Sequence, residues 1–373
     1  MRTAARLLSA AVVLLATFAS LGFGPALVDR DDPQMALGDT ALQQLSAGGL
    51  PDTRAAAELI MDCETGEVLF EINAHVRRAP ASITKIMTAL VALDKGDLKQ
   101  HVLIQPEDVQ DGAAMGVYTG DVLTLEDLLW GMLLPSGNDA AHAIARAVGG
   151  TVPAFVEMMN AKAADLGLTD THFANPHGLD APGHYSTAYD IAVMARVALA
   201  NPVFARMVAT DRHTVEASRQ FQLENANGLI LHKEMVPGVD GVKTGSTEAA
   251  GECLVASATR QGQRFIVVVL GADDREGAAA SLLDHAFSTY IRRRLGPPAH
   301  TMFFDEAGQK RLVQMASPDE ALATAWEWAS LRSYVQVDTR SAKLSAGQQV
   351  GVVSYYAGDR EIARRPLVLK APY

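Results

Sequence analysis

Apolar positions along this chain change period, and the changes mark out its elements. Ala57 to Asp62 is a strand-length apolar run, and a Glu64-Thr65-Gly66-Glu67 turn leads into a second run, Val68 to Ile72, which predicts an N-terminal hairpin. From Ser82 to Asp94 the period lengthens: Ile83, Ile86, Met87, Leu90 and Leu93 repeat at three and four, Pro80 precedes them and Gly96 stops them, so a helix is expected. Helices follow over Thr124 to Leu134, Asp139 to Val148, Pro153 to Leu166 and Tyr189 to Ala200. Glu126 and Asp127 lie in the first turn of the first of these, where the helix dipole favours anions. Strands return at Val239 to Lys243, Glu252 to Thr259 and the continuous apolar run Phe265 to Leu270, before a further helix over Ala278 to Arg294.

Strands at both ends with helices between them predict an α/β (α+β) domain, a sheet covered by helices with its first strand supplied from the N-terminus. A break at Leu295-Gly296-Pro297-Pro298 separates this body, residues 53–295, from a small C-terminal domain of mainly β character, residues 299–373. The smaller domain shows β-like runs at Tyr334 to Val337, Val350 to Tyr356 and Pro366 to Leu369. One helix is expected there, around Ala321 to Trp328, and with Trp326 and Trp328 two apart at most one of them faces a core. The stretch Asn175 to Ser186, with Pro176, Gly178, Pro182 and Gly183, reads as a structured loop.

Composition narrows the class. The chain has 373 residues, 49% hydrophobic and 20% charged, with a formal net charge of -11, which argues against a general nucleic-acid binder. Arg2 and Arg6 precede an uncharged, mostly apolar run from Leu7 to Gly24, the pattern of an export signal over residues 1–26, followed by a linker over 27–52. Interruption by Ser9, Thr17, Ser20, Gly22 and Gly24 favours cleavage, after Ala19 or Ala26, over an uncleaved anchor; either way the body of the chain is expected to leave the cytoplasm. Cys63 and Cys253 sit in strand-like contexts and are expected as buried free thiols. No Cys/His spacing of the zinc type occurs, and neither a metal nor another cofactor is implied.

Three clusters carry chemistry. Ser82 and Lys85, three apart, share one face at the start of a helix. A serine hydroxyl needs a base, and a lysine can be that base only if burial or a neighbouring cation lowers its pKa. Pro135-Ser136-Gly137-Asn138 sits between two helices, where Gly137 allows a turn that aims Ser136 and Asn138 one way. Gly241-Val242-Lys243-Thr244-Gly245 lies on a short strand: Lys243 and Thr244 suit a carboxylate, and Gly245 lets a substrate backbone approach. Taken singly, each has a plain structural reading, as a helix cap, an inter-helix turn and a solvated strand edge.

Together, and in this order, they resemble the S-x-x-K, S-x-N and K-T-G triplet of the serine penicillin-recognising enzymes. Residues 79–90 (APASITKIMTAL), 133–141 (LLPSGNDAA), 177–190 (HGLDAPGHYSTAYD) and 242–259 (VKTGSTEAAGECLVASAT) look like those of the low-molecular-weight D-alanyl-D-alanine carboxypeptidases, and the likeness runs from about 53 to 295. The resemblance implies a β-lactamase/transpeptidase-like fold, its sheet antiparallel, and a peptidoglycan stem peptide as substrate, with β-lactams as covalent inhibitors. It implies Ser82 as nucleophile, Lys85 as base, Ser136 as proton relay, and Asn138 and Lys243 as catalytic partners. Ser246 and Ser82 would supply oxyanion N–H groups. Thr244, Gly245 and an arginine on the following strand, Arg264 with Arg260 as a rival, would bind the substrate's carboxylate.

Other readings compete. A class A β-lactamase uses an extra loop glutamate, whereas Glu157 here falls in an amphipathic helix, and Gly137 replaces an aspartate of the second motif. An endopeptidase that cuts D-Ala cross-links differs only in its leaving group, and a non-catalytic peptidoglycan-binding protein would not need the base. Relatives that end in an amphipathic membrane-surface helix differ from this chain, which runs from a strand-like stretch to Ala371-Pro372-Tyr373, so contact with a membrane stays open.

Overall fold

Ala57–Asp62 (β1) and Val68–Ile72 (β2) form the expected hairpin, and β1 then takes a partner from the far end of the catalytic region. In this computed structural model, which describes residues 27–28, 53–217, 219–296, 302–304, 310–316, 320–337 and 345–370, two units separate. One runs from Leu50 to Phe287, and the other contains Ser288–Tyr373 with the N-terminal pair Leu27–Val28. The boundary thus falls inside a helix, upstream of the break expected at Leu295. The expected export signal, most of the linker and Pro297-Pro298 lie outside the described residues.

The larger unit is built on a five-stranded antiparallel sheet. Two short ribbons precede its later strands: His101–Leu103 (β3) with Val122–Thr124 (β4), and Arg212–Glu216 (β5) with Gln220–Glu224 (β6). Val239–Thr247 (β7), Gly251–Arg260 (β8) and Gln263–Ala272 (β9) complete the sheet in the order β2-β1-β9-β8-β7. The run Phe265 to Leu270 is wholly buried because both faces of β9 are covered. Ile266, Val268 and Leu270 enter the main helical core with Leu59, Met61, Cys253 and Val255. Phe265 points the other way, edge-on to Phe287 on the helix Arg275–Thr289, ring centroids 4.8 Å apart.

The helices of the main core are Lys85–Lys95 (α1), Leu125–Leu133 (α2), Asn138–Gly149 (α3), Val152–Asp165 (α4), Ala188–Leu199 (α5) and Pro202–Val208 (α6); the short Gly228–Leu231 is α7 and Arg275–Thr289 is α8. Their starts are chemically marked. The Thr124 hydroxyl accepts from the Asp127 N–H while the Asp127 carboxylate accepts from the Thr124 N–H, closing a capping box on α2. Thr151 and Thr187 cap α4 and α5 in the same way from one side. The β5–β6 hairpin escapes notice in the sequence because only Val215, Phe221 and Leu223 of its strands are buried, and the rest is polar and, apart from the half-buried His213, exposed. Cys63 is half-buried and Cys253 buried, both free.

A buried ion pair ties α3 to the turn Pro106–Asp108, which lies between β3 and β4. Asp108 is fully buried and accepts from the Arg146 guanidinium (2.6 Å), from His142 Nδ1 (3.0 Å) and from the Gln105 N–H (2.9 Å). Burial alone would raise its pKa, but these donors outweigh it and hold the carboxyl at about 2. The unfolded carboxyl titrates near 3.9, so the stabilisation is complete above that value and disappears as pH falls towards 2. Chemical denaturation at pH 5 and pH 2 should therefore show about 2 kcal/mol more acid loss in the wild type than in Asp108→Asn; equal losses would remove Asp108 from the acid response.

The smaller unit is mainly β, as expected. Its strands are Tyr290–Arg294 (β10), Met302–Phe304 (β11), Lys310–Met315 (β12), Glu320–Thr324 (β13), Leu331–Val337 (β14), Gln349–Ala357 (β15) and Arg360–Leu369 (β16). Leu27–Val28, β14, β15, β16, β12 and β11 make a six-stranded sheet, and β10 pairs with β13. Two expectations need correction here. The helix over Ala278 to Arg294 ends at Thr289, because Tyr290–Arg294 is drawn into antiparallel pairing with Glu320–Thr324. The helix expected at Ala321 to Trp328 is that same strand followed by a single turn, Ala325–Ala329, capped reciprocally by Thr324 and Glu327. On so short a turn both tryptophans pack against the core, and the Trp328 indole N–H donates to the Ile291 carbonyl at 2.8 Å.

Candidate active site

The helix expected from Ser82 begins as a 3-10 turn, Ala81–Thr84, and becomes α-helical at Lys85. Three residues apart, Ser82 and Lys85 then face each other, with Lys85 Nζ 2.8 Å from Ser82 Oγ. Lys85 is fully buried, and two further oxygens surround its amine: Asn138 Oδ1 at 2.8 Å and the His177 carbonyl at 2.7 Å. Burial, and secondarily the charge of Lys243, hold its pKa well below the ordinary lysine value. A neutral amine has two N–H bonds and one lone pair. Asn138 Oδ1 and the His177 carbonyl can only accept, so they take the two hydrogens and the lone pair is left facing the Ser82 hydroxyl. The Asn138 amide cannot flip out of this role, since its Nδ2 donates to the Asp111 carbonyl at 2.7 Å.

The second cluster is fixed from beneath by Asp139. Its carboxylate accepts from the N–H groups of Met115, Gly116, Val117 and Ala140 at 2.8 to 3.1 Å, which locks residues 115–117 over the turn. Ser136 is buried in the left-handed region, φ 66°. A Cβ added at Gly137 would lie 2.7 Å from both Asp139 Oδ1 and the Met115 nitrogen. An aspartate at that position, as in a class A β-lactamase, has no room.

The third cluster forms the sheet's edge strand, β7. Gly245 lies against the Ser82 turn: its Cβ would sit 3.1 Å from the Ser82 nitrogen and from Ala81 Cβ. Lys243 and Thr244 are buried, and burial, followed by the charge of Arg275, lowers Lys243 to about 7. Ser246 Oγ donates to Glu252 Oε1 at 2.5 Å, and Arg275 meets Glu252 Oε2 at 2.5 Å.

Arg264 requires correction. It pairs with Thr259, whereas Lys243 pairs with Val255, so the two are separated along the sheet by roughly 13 Å, four strand residues. Its guanidinium is occupied at that far end by Asp240 (2.6 Å) and by Thr259 Oγ1 (2.9 Å). Arg260, the rival, bonds Asp284 (2.9 Å) and the Pro237 carbonyl (2.8 Å). The arginine near the third cluster is Arg275, at the start of α8. β9 runs antiparallel to β8, so its last residues, not its first, return to the Ser246 end of β7, where Ala272 pairs with Glu252 and Glu252 with Ser246.

The structured loop at 175–186 completes the site. Thr88 Oγ1 donates to the Pro176 carbonyl (2.6 Å), and Asn175 Oδ1 accepts from the Gly178 N–H (2.7 Å). The Ala174 N–H donates to His184 Nδ1 at 2.9 Å, so the neutral ring carries its proton on Nε2 and donates it to Thr84 Oγ1 at 2.8 Å. Burial lowers His184 to about 4, which keeps that ring neutral. The His177 carbonyl and the Asp139 clamp were out of reach of motif reading: every residue has a carbonyl, and a helix-start aspartate is commonplace.

Comparison with known proteins fits this geometry. The sequence profile of the D-alanyl-D-alanine carboxypeptidase family, peptidase S11, matches residues 44–274. The chain is 34% identical to the D-alanyl-D-alanine carboxypeptidase DacF of Bacillus subtilis, over 85% of each protein, and 36% identical to DacD of Escherichia coli, over 85% of this chain and 86% of that one. Penicillin binding protein 5 from Haemophilus influenzae superposes with a TM-score of 0.74 at 28% identity, covering 86% of this chain and 98% of that one. The Ser82 turn, the Asn138 bridge and the glycine-bearing edge strand thus sit in a chain that belongs to the D-alanyl-D-alanine carboxypeptidase family of low-molecular-weight penicillin-binding proteins.

Proposed function

We propose that this protein is a serine D-Ala-D-Ala carboxypeptidase that removes the terminal D-Ala from peptidoglycan stem peptides, acting outside the cytoplasm, where that polymer lies. The observation that carries the reading is the Lys85 amine, whose two acceptor oxygens, Asn138 Oδ1 and the His177 carbonyl, leave its lone pair aimed at Ser82.

The stem peptide lies along the free edge of β7 as an added strand. Ser82 Oγ attacks the carbonyl carbon of the penultimate D-Ala as its proton passes to Lys85 Nζ. The carbonyl electron pair moves onto oxygen, which the N–H groups of Ser82 and Ser246 receive; such a pair of donors is worth several kcal/mol of barrier. The C–N bond then breaks, and the departing nitrogen takes the proton that Lys85 held, relayed through Ser136 with Lys243 assisting, which leaves Lys85 neutral again. Burial lowers Lys243 to about 7, so its charge beside the relay is set near neutral pH. Water then attacks the acyl carbon and gives a proton to Lys85, which returns it to Ser82 Oγ as the ester bond breaks. A β-lactam acylates the same serine.

Arg275 and Thr244 hold the free carboxylate of the leaving D-Ala. Arg275→Ala is expected to raise KM for a pentapeptide about tenfold to a hundredfold. An analogue amidated at its C-terminus should be affected far less. Equal losses on both substrates would mean that Arg275 does not read the carboxylate. Release of D-Ala from a pentapeptide, measured against cleavage of a cross-linked dimer, tests the reaction itself; preference for the dimer would make the enzyme an endopeptidase.

A further inference from the structure

Outside the catalytic unit, the six-stranded sheet buries one face and leaves the other with an unusual lining. Val335, Val353, Tyr355, Ala363 and Leu367 point into the small core. The opposite face carries Tyr334, Ser354 and Arg364 in one row across β14, β15 and β16, since Tyr334 pairs with Ser354 and Ser354 with Arg364. Tyr356 stands diagonally beside Tyr334, ring centroids 5.6 Å apart at 77°, so that the two rings form an open corner. The Tyr356 hydroxyl donates to Glu361 Oε2 at 2.6 Å, which fixes that ring. Gln336 and Asp359 close a groove of about 430 Å³ over the corner.

We propose that this groove binds a carbohydrate, an N-acetylated hexosamine chain. The lining excludes other ligand classes on chemical grounds. Among the described residues the lining has no aliphatic side chain to hold a lipid tail, and Asp359 and Arg364 carry opposite charges, so neither a polyanion nor a polycation meets a field of one sign there. Two tyrosine faces with amide, hydroxyl, carboxylate and guanidinium groups around them match a pyranose, which has an apolar C–H face and a rim of hydroxyls that both donate and accept. The volume falls within the range of small-ligand clefts. The choice of hexosamine rests on the function proposed above, because the glycan strand that carries stem peptides is a chain of N-acetylated amino sugars. A groove of this kind lets the protein hold the polymer while the serine works on its peptides.

The test uses the full chain and two probes, chitotetraose and peptide-free glycan strands, with binding read by calorimetry. Binding of both by the wild type is expected, with affinity falling about tenfold or more in the Tyr334→Ala/Tyr356→Ala double variant. The Tyr334→Phe/Tyr356→Phe variant keeps the rings and should keep most of the affinity, which separates ring stacking from misfolding. Binding of neither probe by the wild type, or equal affinity in the alanine variant, overturns the proposal. Saccharide binding should be unchanged in Ser82→Ala, so a failure of the groove and a failure of the peptidase reading give different results.

Discussion

Ser82→Ala is expected to abolish covalent labelling by a fluorescent penicillin and D-Ala release together, because Ser82 Oγ is the hydroxyl that Lys85 Nζ meets at 2.8 Å. Lys85→Met separates the nucleophile from its activation. Methionine nearly matches the volume of the buried lysine and is accommodated, but it offers no lone pair of comparable basicity. Acylation should fall about a hundredfold to ten-thousandfold, the usual contribution of a positioned base. Stopped-flow acylation with a chromogenic cephalosporin measures this directly. A Lys85→Met enzyme within threefold of the wild type would place the base elsewhere.

Gly178→Ala is expected to be nearly as damaging, although Gly178 contributes no side chain to the reaction. At φ 94° it occupies backbone space that side-chain-bearing residues rarely enter, and an added Cβ would lie 1.9 Å from the Ala81 carbonyl oxygen. That carbonyl belongs to the residue before the nucleophile, and the neighbouring His177 carbonyl is one of Lys85's oxygens. Relieving the clash must move the loop off the Ser82 turn. Acylation should drop about a hundredfold or more. Gly183→Ala is the control: its φ is 78°, but the nearest atom to an added Cβ is His172 Nδ1 at 3.8 Å. Similar losses in the two variants would attribute the effect to backbone strain rather than to contact with the nucleophile turn.

Much of this architecture is legible in the sequence because local chemistry and long-range packing agree. Thr124, Thr151 and Thr187 announce helices that the core also requires, and β1 and β2 lie at the expected residues. Legibility ends where a distant partner decides. Tyr290–Arg294 continues a helical pattern but is claimed as a strand by residues some thirty positions on. Arg264 follows the third motif in the expected order, yet strand direction carries it away, and Arg275, beyond the end of β9, arrives instead. In the site, side chains with distinctive chemistry, such as Ser82, Lys85 and Asn138, are visible to motif reading. The His177 carbonyl is backbone and leaves no mark on the residue type.

The place of β1 in the sheet also has a consequence for the order of events during synthesis. Met61 pairs with Ile266, so a strand made early must wait for one made about two hundred residues later before its inner edge is covered. Until then the nascent catalytic unit holds β1 and β2 as a hairpin with an open apolar edge, the arrangement most prone to pairing with another chain. Loop closure over that span makes completion of the sheet a slow step. Because the Ser82 turn, made early, packs directly against Gly245 of β7, made about 160 residues later, recovery of penicillin labelling after dilution from denaturant should report a late stage of folding rather than collapse.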